Sequence, residues 1–466
     1  MIQFFNTLSG RKEAFHPLRA GEVKLYTCGP TVYDYSHIGN FRAYIFEDLL
    51  KRFLQFAGLR VFHVMNITDV DDKTIKGATA RGVSLSQFTE TYIQAFFEDI
   101  RRLQIIHADH YPKATDHIPD MVKIISGLLA KGYAYVKDGS VYFSIAKFPD
   151  YGKLSKIRLD ELQSSERVEA DEYEKENAQD FALWKARKEG EPYWDTEIGT
   201  GRPGWHIECS AMSAKYLGER FDIHCGGVDN IFPHHENEIA QSETYFGHPF
   251  VSVWLHCHHL IVDGEKMSKS KGNFFTLRDL VARGVDPLDL RFLLLSTHYR
   301  KVLNFTFEAL DQAKAAVQRI KDFLYELGNR RFAAGRSSGI PAYVEKARKK
   351  FIDGLSDDLN ISVALTALFE LIKDVNILIK EEKLQADDAK TLSSFVYSLD
   401  EVLAFLPPQP EVSLNVEVKD RIRLREKARI DKDYVLADKI RQELLEEGVV
   451  LEDTKQGVRW KIIKTK

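Results

Sequence analysis

Residues 23–66 carry the order strand, glycine loop, helix, strand, and that order holds the chain to an α/β fold built on a parallel sheet. Val23-Lys24-Leu25-Tyr26-Thr27 reads as a short strand, which Gly29 and Pro30 break. From Phe41 onward Ile45, Leu49, Leu50, Phe53 and Leu54 repeat at helical spacing, and Gly58 is the stop. Arg60-Val61-Phe62-His63-Val64-Met65-Asn66 reads as the second strand after that crossover. Open parallel sheets bind ligands at the carboxyl ends of their strands. The loop between Thr27 and the helix is therefore the first place to look for chemistry.

That loop ends in His37-Ile38-Gly39-Asn40, where a helix N-terminus can meet phosphate. Gly39 would let a purine or phosphate approach the backbone closely, and His37 could hydrogen-bond a developing pentavalent phosphate. Alone, the same four residues also fit a surface His-Gly turn. The second segment, Lys266-Met267-Ser268-Lys269-Ser270, lies in a Gly/Lys/Ser-rich loop and supplies cations suited to a leaving pyrophosphate.

At 466 residues the chain is long enough for several domains. A net charge of −4 argues against a nonspecific nucleic-acid coat but leaves room for local basic surfaces. No apolar run approaches 18 residues, and Met1-Ile2-Gln3-Phe4-Phe5 does not resemble a secretory signal, so a cytoplasmic location is expected. The four cysteines, Cys28, Cys209, Cys225 and Cys257, are too few and too widely spaced for a disulfide scaffold.

The carboxylates of Asp69, Asp71 and Asp72 suggest either a metal site or a capped helix start, and the cap is the favoured reading. Residues 90–200 look like an insertion, with helical periodicity, a hairpin over 134–143 and a charged stretch from Ser164 to Asp180. Strand character returns at Phe221-Asp222-Ile223-His224-Cys225 and at Phe250-Val251-Ser252-Val253-Trp254-Leu255-His256. Beyond about residue 280 the pattern is helical, with a Gly/Arg/Ser loop from Asn329 to Pro341 and a linker at Leu406-Pro407-Pro408-Gln409-Pro410. Residues 421–466 hold 13 Lys/Arg against 9 Asp/Glu, a basic segment on an otherwise acidic chain. The expected architecture is a Rossmann-like parallel-sheet domain split by an insertion, then a helical bundle and a small C-terminal α+β module. The expected bounds are 1–100 and 201–280 for the halves of the split domain and 101–200 for the insertion. A linking region follows over 281–310, the bundle over 311–405, the linker over 406–420 and the module over 421–466.

His234 and Glu238 stand four apart after Pro233 and share a face if that segment is helical, which suits zinc. Two sulfur ligands would complete such a site, and by spacing alone they could come from any of the four cysteines. Cys28 is attractive because it lies at a strand's carboxyl end. The same residues also fit a solvated helix start with two surface histidines.

Longer strings add a resemblance. Cys28-Gly29-Pro30-Thr31-Val32-Tyr33-Asp34 leads into His37-Ile38-Gly39-Asn40, and the Lys266–Ser270 string follows far downstream. Between them stand Gly201-Arg202-Pro203-Gly204-Trp205-His206-Ile207-Glu208-Cys209-Ser210, Gly226-Gly227-Val228-Asp229 and Phe232-Pro233-His234-His235-Glu236-Asn237-Glu238. This set resembles the cysteinyl-tRNA synthetases, a family of class I aminoacyl-tRNA synthetases, over essentially the whole chain.

The resemblance implies one zinc ion held by Cys28, Cys209, His234 and Glu238, which selects the substrate thiol over serine's hydroxyl, so no editing domain is expected. It implies ATP with Mg²⁺, L-cysteine and tRNA(Cys) as partners, and a monomer. His37, Gly39 and Asn40 would meet the phosphates, Lys266 and Lys269 the leaving pyrophosphate, and Asp229 the ribose. Thr68 and Trp205 would face the bound cysteine with Cys28. Cys225 and Cys257 are expected to be buried structural thiols. His256-Cys257-His258-His259 is richer in metal-ligand types than the family pattern and is expected to be a strand with some residues buried and others at the cleft. Residues 286–304 resemble the start of a DALR-type helical domain. The tail, with Ala437-Asp438-Lys439-Ile440-Arg441 and Gln456-Gly457-Val458-Arg459-Trp460, resembles an anticodon-binding module in which Trp460 would stack on a base. Arg421-Ile422-Arg423-Leu424-Arg425 also fits a plain amphipathic helix.

Overall fold

The computed structural model describes residues 1–157, 180–337, 339–407, 416–431, 433–447, 449–454 and 457–462. Most of the charged stretch from Ser164 onward, the linker residues Pro408, Gln409 and Pro410, and Gln456 lie outside the described residues, as do the side chains of Arg459 and Trp460. The chain forms two compact units, residues 1–317, 346–369 and 401–405 in the first and 318–345, 370–400 and 406–466 in the second.

The first unit opens with an antiparallel pair, β1 (Gln3–Asn6) and β2 (Arg11–Ala14). The strand–helix–strand unit follows as β3 (Glu22–Thr27), α1 (Ile38–Phe56) and β4 (Arg60–Met65). Ile45, Leu50, Phe53 and Leu54 of α1 are fully buried, each stabilising by about 1.5–3 kcal/mol. The helix starts at Ile38, three residues before the apolar repeat, because His37 caps it. Next come α2 (Asp72–Arg81), α3 (Leu85–Arg102) and α4 (Ile118–Ala130). The three aspartates before α2 separate: Asp71 caps the helix through Lys73 N at 2.9 Å, Asp69 accepts from Thr115, and Asp72 pairs with Lys185 and Arg202. That spread bears out the cap.

The insertion forms its own antiparallel sheet from β5 (Ala134–Lys137), β6 (Ser140–Phe143), β7 (Phe181–Ala186), β8 (Trp194–Thr196) and β9 (Gly199–Pro203), in the order β5-β6-β7-β9-β8. Strand β9 runs through Gly204 into α5 (Trp205–Leu217). Then β10 (Phe221–Gly227), α6 (Glu236–Phe246) and β11 (Val251–Cys257) complete a parallel sheet in the order β11-β10-β3-β4. The Rossmann-like expectation is met. The short strands β12 (Leu260–Val262) and β13 (Glu265–Lys266) form a hairpin that leads into the lysine loop. Helices α7 (Leu277–Ala282) and α8 (Pro287–Ser296) follow, then β14 (Leu303–Phe305), which pairs parallel with β12. The region past residue 280 is thus not purely helical.

Long helices come next: α9 (Phe307–Asn329), α10 (Ile340–Ser356), α11 (Ile361–Lys380) and α12 (Ala386–Leu403). The C-terminal module has α13 (Val416–Ile430), α14 (Tyr434–Glu446) and an antiparallel pair, β15 (Val449–Thr454) and β16 (Gly457–Ile462). Ile422, Ile440, Leu444, Val449 and Leu451 form its core. Arg425 is buried while Arg423 and Leu424 face outward.

A buried ion pair ties α1 to α8. Arg291 donates to Asp48 Oδ2 at 2.5 Å, Leu103 O at 2.9 Å and Leu403 O at 2.8 Å. Asp48 also accepts from Arg52 and from Ile106 N, both at 2.8 Å. Removing one member of a buried pair strands the other charge. Arg291→Met is expected to lower the stability of the first unit by about 3–5 kcal/mol, read as a shift of the urea midpoint at unchanged slope.

Candidate active site and metal centre

The chain leaves β3 for β4 on one side and enters β10 before β11 on the other, so the topological switch of the parallel sheet lies between β3 and β10. Cys28 sits there, one residue past β3, with its N–H donating to Cys225 O at 3.3 Å. Gly29 follows where the chain passes Asn66. A Cβ at Gly29 would stand 1.7 Å from Asn66 O and 2.9 Å from Met65 Cγ, and the Gly29 N–H donates to Asn66 Oδ1 at 3.0 Å. Gly29→Ala must push the Cys28 loop off the sheet. It is expected to lower stability by about 1–3 kcal/mol and to reduce the metal content of the purified protein in parallel.

Cys209 lies in the second turn of α5 and is buried. His234 falls in a wide turn over Ile231–His235 in which Phe232 is extended, and the regular helix begins only at Glu236. The expected helical pair nonetheless converges, with His234 Nε2 3.1 Å from Glu238 Oε1. Ligand atoms of Cys28, Cys209, His234 and Glu238 all lie within 4.8 Å of one another, and Cys209 Sγ is 3.5 Å from His234 Nε2. Glu238 Oε1 is buried and accepts no hydrogen bond in spite of the nearby imidazole.

The electrostatics agree. Burial pushes the Glu238 carboxyl up to about 8, with His234 pulling the other way, and pushes His234 down to about 3. The neighbouring Cys209 sulfur, then burial, push the Cys28 thiol well up. Each group resists its own charge, and a shared cation would relieve all of them at once. Two sulfurs, one imidazole and one carboxylate form a donor set that zinc accepts in tetrahedral geometry. The residues fit a zinc ion.

Four further histidines surround this cluster. His224 Nε2 lies 3.0 Å from Glu238 Oε2, and His235 Nε2 lies 3.2 Å from Cys28 Sγ, so Cys28, His224, His235 and Glu238 make a second convergent group. His235 Nδ1 meets His256 Nε2 at 2.8 Å, and His256 Nδ1 meets Thr7 Oγ1 at 2.8 Å. His206 Nδ1 meets His234 Nδ1 at 2.9 Å, and the Trp254 ring stacks on His224 at 4.6 Å. Partners of this kind orient the residues that touch a metal. Sequence reasoning missed this network. Its only local sign is a histidine in the middle of an apolar strand, as at His224. Cys225 and Cys257 are buried thiols, as expected. His256 and Cys257 are buried on β11, His258 is half-buried and His259 exposed, and no convergent metal group among the described residues includes any of the four.

The nucleotide side is built on the start of α1. His37 Nδ1 accepts from Asn40 N at 3.2 Å, and Asn40 Oδ1 accepts from His37 N at 3.1 Å. Burial lowers the His37 pKa, with Asp229 opposing. The neutral ring therefore carries its proton on Nε2, free to donate. A Cβ at Gly39 would come within 2.9 Å of the His37 ring and 3.1 Å of Met267 Cε, which places the lysine loop against this turn. Ile38 N donates to Phe275 O at 3.0 Å, closing the loop onto the helix start. Lys269 pairs with Asp34 and lies 5.1 Å over the Phe274 ring. Asp34 as its partner was not foreseen. Lys266, at the end of β13, is exposed, and so is Asp229, in the turn after β10.

Trp205 opens α5 and stacks on His234 with ring centres 4.0 Å apart, while 38% of it stays exposed. Thr68 is buried. Its hydroxyl donates to Glu208 Oε2 at 2.9 Å and accepts from Asn66 at 3.1 Å.

Comparisons with known proteins match this picture. The family model described as "tRNA synthetases class I (C) catalytic domain" matches residues 14–315, and a DALR domain matches residues 350–407. A cysteine--tRNA ligase of Solibacter usitatus is 48% identical over 99% of this chain and 99% of its own. One from Brachyspira hyodysenteriae is 50% identical, also over 99% of each chain. Among solved structures, Mycobacterium tuberculosis methionyl-tRNA synthetase in complex with methionyl-adenylate aligns with a TM-score of 0.59 at 16% identity, covering 82% of this chain and 90% of that one, which speaks for the fold alone. With about half its residues shared along nearly its full length and the class I catalytic model matching residues 14–315, the chain belongs to the cysteine--tRNA ligase family of class I aminoacyl-tRNA synthetases.

Proposed function

We propose that this chain joins L-cysteine to ATP, forming cysteinyl-adenylate and pyrophosphate, and then passes cysteine to the terminal adenosine of tRNA(Cys). The convergence of Cys28, Cys209, His234 and Glu238 at the sheet's switch point, beside the capped start of α1 and the lysine loop, is the observation that carries this reading. Cys28, Cys209, His234 and Glu238 would hold a zinc ion, which when bound would supply a Lewis acid that favours a thiolate over serine's hydroxyl.

The chain's own residues do the rest by position and charge. Trp205, stacked on His234, walls the amino-acid pocket, and Thr68 lines it from the sheet side. A carboxylate oxygen of cysteine attacks the α-phosphorus of ATP bound with Mg²⁺, and the bond to the bridging oxygen breaks as pyrophosphate leaves with the electron pair. His37 donates from Nε2 toward the phosphate, and Asn40, whose oxygen is held by the cap, offers its amide N–H groups. The N-terminus of α1 faces the same charge. Lys266 and Lys269 neutralise the departing pyrophosphate, and Lys269 exchanges Asp34 for it. Asp229 binds the ribose. In the second step the adenosine 2′-hydroxyl attacks the adenylate carbonyl, AMP leaves with the electron pair of the broken acyl–oxygen bond, and the hydroxyl proton passes to the phosphate of the departing AMP.

In the second unit, the lysine- and arginine-rich α13 with the β15–β16 hairpin suits an anticodon loop. The chain acts as a cytoplasmic monomer in this reading; no helix among the described residues is long and apolar enough to cross a membrane. Cysteine-dependent exchange of labelled pyrophosphate into ATP, run with serine alongside and followed by charging of tRNA(Cys), tests the proposal. Exchange with cysteine alone supports it. Absence of exchange with any amino acid would turn the assignment toward a tRNA-binding relative without catalysis.

A further inference from the structure

Arg278 is the second residue of α7, directly after the lysine loop. Just before it, the chain is tied to the start of α1: Phe275 O accepts from Ile38 N at 3.0 Å, and Thr276 forms a backbone bridge with His37. The Arg278 guanidinium crosses to α3, where Nη2 donates to Glu98 Oε2 at 2.7 Å and to Ala95 O at 3.4 Å. Its central carbon also lies 5.0 Å from the centre of the Tyr35 ring, and that ring meets Tyr92 of α3 edge to face at 5.4 Å. Tyr35 follows Asp34, the partner of Lys269, and its N–H donates to Asp34 Oδ1 at 2.8 Å. One guanidinium thus joins the exit of the lysine loop, the turn that holds Lys269, and α3.

That guanidinium has a donor to spare. Arg278 Nε and both carboxylate oxygens of Asp99 are buried without a hydrogen-bond partner, yet Nε stands 3.5 Å from Asp99 Oδ1. Asp99 is 1% exposed. A buried donor and a buried acceptor left in this state are each costly, and a small movement of α7 toward α3 would satisfy both. Nothing in the reaction described above uses either group.

We propose that Arg278 is a positioning residue for Lys269, its Nε closing onto Asp99 as the lysine loop moves against the pyrophosphate of ATP. The inference rests on the adenylate-forming reaction proposed above. In that step Lys269 gives up Asp34, so the loop loses its ion pair to the turn before α1. Arg278 keeps its hold on Tyr35 and α3, and the bond to Asp99 replaces the tie that was lost. A charge is useful in such a step only while its support holds it to within about 0.5 Å.

The test is single-turnover adenylate formation by the full-length protein, with the urea midpoint of each variant measured alongside. Arg278→Gln is expected to slow the step about 10–100-fold at unchanged KM for cysteine. Asp99→Asn should slow it less, because Glu98 and Ala95 still hold the guanidinium, and Arg278→Lys should recover part of the loss. When Arg278→Gln is combined with Lys269→Ala, the two losses should not multiply, since Arg278 then has nothing left to position. Should Arg278→Gln fail to fold, Arg278→Lys and Asp99→Asn carry the same cycle against Lys269→Ala. Losses that multiply, or wild-type rates in Arg278→Gln or in Asp99→Asn, would overturn the inference while leaving the proposed activity standing. A wild type that forms no adenylate would remove that activity and this inference with it.

Discussion

Lys269→Ala is expected to lower the rate of cysteinyl-adenylate formation by about 10²–10³-fold, equivalent to about 3–4 kcal/mol of transition-state stabilisation, with little change in the KM for cysteine. The side chain is mostly exposed and reaches across to Asp34 beside the start of α1. Such a contact between solvated groups adds little to stability, so the variant should fold normally. Its value lies in where the ammonium is held. Asp34 keeps it next to the His37 turn, where charge would build on the leaving pyrophosphate in the proposed first step. Lys266 is exposed at the end of β13 and its ammonium has no ion-pair partner among the described residues, so the same substitution there should cost less. Single-turnover measurement of adenylate formation separates the two lysines. Equal and small effects would show that the loop's charge is not used in the first step.

Cys28→Ser should collapse amino-acid selectivity. Sites built around one specific polar contact reject an analogue lacking it by about 10⁴–10⁵, whereas shape alone gives about 10–200. If the sulfur of Cys28 helps hold the selecting metal, its loss takes the preference for cysteine over serine from the first range to the second. Cysteine-dependent exchange should fall steeply at the same time. Cys28 is only half-buried, with His235 Nε2 3.2 Å from its sulfur, so a hydroxyl fits its place without strain. Cys225→Ser is the control, being buried next to the site but outside both convergent groups. Full selectivity in Cys28→Ser would exclude the metal as selector while leaving the enzyme class intact.

The parallel core was legible from sequence because its signals are local. The apolar repeat of α1 and the flanking strands follow from spacing over a few residues. The apolar repeat alone would start α1 at Phe41; the His37-Ile38-Gly39-Asn40 string puts the N-terminus earlier, and there the cap is a histidine, a residue outside the usual Ser/Thr/Asp/Asn set. The pairing of His234 with Glu238 was readable from a four-residue offset, but the wide turn before α6 was not. That turn sends the adjacent rings of His234 and His235 to different partners, Cys209 and Cys28. Which cysteines meet the pair depends on strand order, since β3 and β10 are neighbours across nearly two hundred residues. The strand end made Cys28 a candidate, but only the family resemblance pointed to Cys209 and to the two together. The histidine network depends on the register of three parallel strands, in which Tyr26, His224 and Trp254 line up across β3, β10 and β11. No spacing along the chain encodes that row.

The central claim is that Cys28, Cys209, His234 and Glu238 hold a zinc ion that takes the substrate's sulfur. X-ray absorption at the zinc edge reads it directly. The metal in the free protein should show a shell with two sulfurs, rising to three when cysteine is added and staying at two with serine. A sulfur shell unchanged by cysteine would contradict the account.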